Sequence, residues 1–249
     1  MKNVKLVKTL MLVQLKEMLF DRTLIIFVTL FPFFFLFLFY FLSHLNSGNG
    51  GSGILATSLP LGLVVCSANC SMMITSGPLA KYRKSGVLTA LATTPLSKSL
   101  FMATHAVLRF VFVSVLSLIV ITCGIWLNMV SGSKFLPAFL AVTVANLFFL
   151  SLAYLVGALS SSDQAAGYFG SLVMILAALG SGLGFPLSSL PSWLELVFRI
   201  LPTSVGGGVI TQTVGAPWPV GYDRFWVVAG CLAWTVAFCA LAIKAFKWK

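Results

Sequence analysis

The sequence predicts an all-α membrane protein: a single transmembrane domain over residues 1–249 with six spanning helices. Three observations carry this. The chain is 59% hydrophobic and 8% charged, and a soluble domain of that composition would lack the polar groups its own surface needs. Its apolar residues gather into six runs of about 20, the length that crosses the hydrocarbon of a bilayer. Its net charge of +11 is collected at residues 1–22, 81–98 and the last six positions, a topology signal whose natural partner is anionic lipid.

Residues 2–22 read as an amphipathic helix. Lys2, Lys5, Lys8 and Lys16 fall on one arc, and Leu6, Val7, Leu10, Met11 and Met18 on the opposite one. This is the pattern of a helix lying in the headgroup interface. It is not a secretory signal, because the polar-rich stretch 1–23 is too long and no A-x-A-like site follows the first apolar run.

The spans are expected at 24–44, 54–75, 104–127, 135–158, 165–187 and 225–244. The first contains Pro32 among four phenylalanines, and a proline inside a helix frees a carbonyl and kinks the axis. Residues 46–53 are polar and glycine-rich, a flexible connection. Segment 79–97 is different in kind. Lys81, Arg83 and Lys84 lead into Gly86, then Leu88, Leu91 and Ala92 recur at helical spacing, and Thr94-Pro95 stops the pattern.

The fifth span is rich in small residues. Ala166 and Gly170, and Ala178 and Gly182, are small-xxx-small pairs that allow close helix approach. They suit packing within the chain or a subunit interface or moving gate. Residues 188–204 follow as a short outer helix region. Ser192-Trp193-Leu194-Glu195 reads as a capping box. Trp193, Leu196, Val197 and Ile200 form an apolar stripe, and Glu195 and Arg199 an i, i+4 pair. Gly206-Gly207-Gly208 reads as a flexible connection.

Orientation follows from the cations. Spans running outward at odd numbers place twelve of the 16 Lys and Arg inside, leave Lys134, Arg199 and Arg224 outside, and put Arg109 within a span. Both termini are therefore expected in the cytoplasm.

Little catalytic chemistry is present. There is no phosphate-binding loop, no H-E-x-x-H and no C-x-x-C. The five cysteines fall in apolar runs and read as small hydrophobes. The five carboxylates, Glu17, Asp21, Asp163, Glu195 and Asp223, all avoid the middle of a span, where an ion-coupled transporter usually keeps one. No metal-ligand cluster and no nucleic-acid surface is recognisable. The polar residues within spans are Asn69, His105, Arg109 and Asn146. The two asparagines suit hydrogen bonds between helices. His105 and Arg109 share a face near the inner end of the third span, where they snorkel to headgroups or border a polar path.

The ordered set of these pieces resembles the membrane subunit of type-2 ABC exporters. The resemblance rests on Arg83-Lys84-Ser85-Gly86-Val87-Leu88, on Leu91-Ala92-Thr93-Thr94-Pro95-Leu96-Ser97, and on Pro186, Leu190, Pro191 and Pro202. It covers nearly the whole chain. It implies an elbow helix at 1–23, a cytoplasmic coupling helix within 79–97 and a short outer re-entrant helix. Arg83, Lys84, Gly86, Leu88, Leu91, Thr94 and Pro95 would contact a cytosolic nucleotide-binding ATPase. Pro32, Asn69, Ala166, Gly170, Ala178 and Gly182 would lie at a dimer interface or the translocation path. Ser192, Trp193, Glu195 and Arg199 would build the outer helix.

The resemblance further implies an inner-membrane permease that is not itself an enzyme and binds no cofactor. ATP and Mg²⁺ would sit on the partner, and a second permease copy would complete the pore. The cargo would be an amphipathic drug, peptide or lipid-like molecule. Two departures stand out: no acidic residue lies between 76 and 98, and Val87 replaces the usual threonine. The competing readings are a secondary transporter or channel, and an intramembrane lipid-processing enzyme built on His105 and Arg109.

Overall fold

The computed structural model describes residues 2–45, 51–87, 98–183, 190–214 and 223–245. They form α1 (Lys2–Phe20), α2 (Arg22–Leu45), α3 (Gly51–Lys84), α4 (Lys98–Trp126), α5 (Phe135–Leu159), α6 (Asp163–Gly180), α7 (Ser192–Ile200), α8 (Pro202–Val214) and α9 (Arg224–Ala245), with no strand among the described residues. Six of these, α2 to α6 and α9, are long and apolar enough to cross a membrane. The fold is the all-α membrane architecture the composition predicts.

α3 is the hub. It is buried on all sides from Ser58 to Ala68 and packs against α2, α4, α5, α6 and α8. An apolar surface all round a helix demands such a position. Its 34 residues span about 50 Å at 1.5 Å each, well beyond the hydrocarbon thickness. The helix begins at Gly51, inside the expected connection, and continues past 75 to Lys84. Arg83 and Lys84 are thus the end of a membrane helix and not part of a separate one.

Proline inside a helix leaves the carbonyl four residues earlier without its amide. In lipid that carbonyl must be satisfied by something else. Pro32 in α2 frees the carbonyl of Val28, and the Cys70 thiol of α3 donates to it at 3.3 Å. Pro78 in α3 frees the carbonyl of Ile74, and Arg109 Nε of α4 donates to it at 2.6 Å. The sequence alone read Cys70 as a small hydrophobe; its thiol is in addition a donor to a freed carbonyl. Cys66 lies 3.8 Å from Ser117 Oγ, which also accepts from Asn146 Nδ2 at 3.3 Å. Asn146 links α5 to α4 as its residue type implied.

The end of the bundle away from Lys84 is closed by α8, which enters the core and packs on α5, α6 and α9. Gly206, Gly207 and Gly208 lie in this helix and are buried. The expectation of a flexible connection is overturned. Glycine there serves close approach: a Cβ at Gly206 would meet Phe148 at 2.7 Å, and one at Gly207 would meet Ser181 Cβ at 3.1 Å. Across the same crossing, a Cβ at Gly180 would fall 1.9 Å from Ser204 Oγ. The final carbonyls of α8 have no partner within the helix. Lys134 Nζ donates to Val214 O at 2.8 Å and Arg224 Nη2 to Gln212 O at 3.3 Å. Two of the cations assigned to the outer side thus cap a helix end, where the macrodipole favours them.

Candidate functional site

The site with the densest polar chemistry is the basic end of the bundle, where α1, α3, α4, α5 and α6 converge. It grows out of the last two turns of α3. Tyr82 is buried and its hydroxyl donates to Glu17 Oε2 of α1 at 2.5 Å. The next residue, Arg83, reaches the other way: its Nη1 donates to Ala158 O and lies 3.5 Å from Ser160 O. Those carbonyls end α5 and have no amide partner of their own. Adjacent residues of α3 thus hold two different helices. Lys84 is exposed beside them.

The helix stops at Gly86. Its φ of +72° costs an L-residue with a Cβ about 1–2 kcal/mol, and Ser85 N and Gly86 N close the final turn on Lys81 O and Arg83 O. The glycine therefore sets the direction in which the chain leaves α3. Leu88, Leu91, Thr94 and Pro95, also expected to contact an ATPase, lie outside the described residues.

Behind this surface sits a buried polar layer. His105 is fully buried, and Arg109 is 2% exposed. Neither snorkels, because each faces the bundle interior. His105 Nδ1 lies 2.5 Å from the Tyr154 hydroxyl, and its ring packs against Phe101, Tyr82 and Tyr154. Arg109 gives Nε to Ile74 O and faces Tyr82, Tyr154 and Glu17, while its Nη1 has no hydrogen-bond partner. His105 Nε2 is buried without a partner, and no group of three or more metal-type ligands occurs among the described residues.

The small residues of α6 divide. Ala166 and Gly170 are buried, and a Cβ at Gly170 would lie 3.0 Å from Met72 Cβ of α3. They pack within the chain and also line the cleft beside Asn69. Ala178 is half-buried, and Gly182, at φ +71°, follows the end of α6. The outward face of α6 carries Tyr168, Phe169, Leu172 and Ile175, all exposed. Beside it Asn69 lines a cleft of about 410 Å³ with Met73, Gly167, Tyr168 and Ser171. Its Nδ2 has no partner, so Asn69, unlike Asn146, does not link helices through that group. Pro32 stands mid-helix in α2.

The outer helix forms at Ser192–Ile200, and Trp193, Leu196, Val197 and Ile200 are exposed along it. Its cap is Pro191, with no side-chain cap bond. The capping box on Ser192 is therefore not formed: Pro191 O already accepts from Leu194 N and Glu195 N, which moves Ser192 into the first turn. The Arg199 side chain lies outside the described residues. α7 meets α8 at an angle of 79°.

Sequence reasoning passed over Glu17, Tyr82 and Tyr154. The available signals were a lone carboxylate on a lysine-rich amphipathic helix, and single tyrosines in otherwise apolar or basic surroundings. No curated protein matches the chain. Residues 45–244 match the family described as ABC-2 family transporter protein.

Proposed function

Because this chain belongs to the ABC-2 transporter family, we propose that it is the permease subunit of an ATP-driven exporter that moves an amphipathic molecule outward across the cell membrane. Its basic end faces the cytosol and receives work from a separate ATPase, which holds ATP and Mg²⁺. Two permease copies, or this chain and a similar one, enclose the path with the exposed face of α6 and the Asn69 cleft toward each other.

One observation carries the reading: α3 runs unbroken from the far end of the bundle to Lys84 and is fastened at Tyr82 and Arg83 to α1 and α5. A push on the segment after Gly86 would be delivered to α3 and to both helices tied to its tip. ATP can drive this only if the ATPase-bound states favour different arrangements of these helices. Membership of the family supports a transport subunit rather than an enzyme.

The test begins with copurification of the chain and an ATP-binding subunit in nanodiscs. Gly86→Ala should leave the purified bundle folded and reduce transport-coupled ATP hydrolysis several-fold, because the strain of about 1–2 kcal/mol at a positive φ redirects the segment. Gly86→Asn, which tolerates that φ better, should retain more activity. Full coupling in Gly86→Ala would remove the segment from the mechanism. Ion-driven flux by the purified chain alone in liposomes would favour the secondary-transporter reading instead.

A further inference from the structure

A second cleft, of about 460 Å³, opens at the basic end between the α1–α2 junction and the start of α6, with α3 as its floor. Three of the chain's five carboxylates, Glu17, Asp21 and Asp163, line it together with Lys81 and Arg109. Gly77 forms part of the floor, and a Cβ built there meets nothing within 4 Å. Gly77 also lines the cleft beside Asn69, so α3 has no side chain at the point the two clefts share.

The charges are layered. Arg109 is 2% exposed and lies deep, level with Ile74, whose carbonyl takes its Nε. Its Nη1 lacks a partner. A buried guanidinium with an unused donor is costly unless an acceptor arrives, and its planar fork suits a phosphate. Lys81, Asp21 and Asp163 are exposed at the rim. Asp21 Oδ1 accepts from Leu24 N at 3.0 Å, and Glu17 accepts from Tyr82. The deeper wall is apolar, with Met18, Leu24 and Ile74.

The apolar wall and the buried Arg109 lie deep, and Lys81, Asp21 and Asp163 share the rim. This is the complement of a phospholipid with a primary amine: acyl chain, phosphate, ammonium. We propose that this cleft binds the headgroup of a phosphoethanolamine lipid, with the phosphate on Arg109 and Lys81 and the ammonium on Asp21 and Asp163. An anionic glycerol lipid would bring its phosphate to Arg109 but no ammonium to the carboxylates. A choline headgroup has no N–H to donate to them. The inference rests on the membrane placement of the six helices and is independent of coupling to an ATPase.

Native mass spectrometry of the intact purified chain tests it, with phosphatidylethanolamine, phosphatidylglycerol and phosphatidylcholine of matched acyl chains added in equal amounts. The expected result is at least a five-fold preference for the ethanolamine lipid. Gly77→Leu should abolish it by filling the cleft, on a helix that gains a better helix former than glycine. Asp163→Asn, on an exposed residue, should cut the preference over phosphatidylglycerol without lowering phosphatidylglycerol binding. Equal binding of the three lipids, or a preference unchanged in Gly77→Leu, would overturn the proposal. So would displacement by soluble glycerophosphoethanolamine at the concentration of the lipid, which would assign the site to a free phosphoester. Retention against that competitor supports the lipid.

Discussion

Gly180→Leu should yield no folded bundle, and Gly180→Ala should lower stability by about 1–3 kcal/mol, the usual cost of overpacking a filled interior. The ground is the crossing of α6 and α8. A Cβ at position 180 would lie 1.9 Å from Ser204 Oγ, 2.9 Å from Ser204 Cβ and 3.2 Å from Ser204 Cα. The hydroxyl can rotate away, but the Cβ and backbone cannot, so the helices must separate. Ser204 is fully buried, and α8 is held from its far end by Lys134 and Arg224, which leaves it little freedom to slide. Ser204→Gly removes both close atoms of the side chain. It should therefore recover most of the loss in the Gly180→Ala background. Refolding equilibria in mixed micelles read this directly, and equal loss with or without Ser204→Gly would show that the contact is not the cause.

Arg109→Met should cost more when Pro78 is present than when it is replaced by alanine, with a coupling of about 1–2 kcal/mol. Losing Arg109 has two opposed effects. It relieves the burial of a cation, which favours the variant, and it strands the Ile74 carbonyl, which costs about 1–3 kcal/mol. Pro78→Ala returns an amide to that carbonyl from within α3, so the carbonyl's cost drops out and the other effects of losing Arg109 are common to both backgrounds. The difference between backgrounds isolates the carbonyl, and it is near the upper end of what hydrogen bonds between membrane helices contribute. Equal cost in both backgrounds would mean that Arg109 acts elsewhere.

These two sites mark where the sequence could be read and where it could not. The spans were legible because lipid imposes one length and one polarity on every helix that crosses it. Gly86 was legible as part of a motif, and its positive φ now supplies a physical reason for it. The glycine triplet at 206–208 was misread because propensity describes an isolated chain, whereas here the absence of side chains admits Phe148 and Ser181. Arg109 was misread because an arginine near a span end usually reaches water. That it would meet the carbonyl freed by Pro78 depends on the register of α4 against α3, which no local pattern encodes. Tyr82 and Glu17 meet across 65 positions for the same reason.

The central claim is that the tip of α3 faces the cytosol and is where work enters. A membrane-impermeant thiol reagent applied to Ser85→Cys, with the exposed Cys239 changed to serine, measures this. Labelling should occur in inside-out vesicles, be absent in intact cells, and fall when the ATP-binding subunit is bound. Labelling of intact cells from the outside would contradict the account.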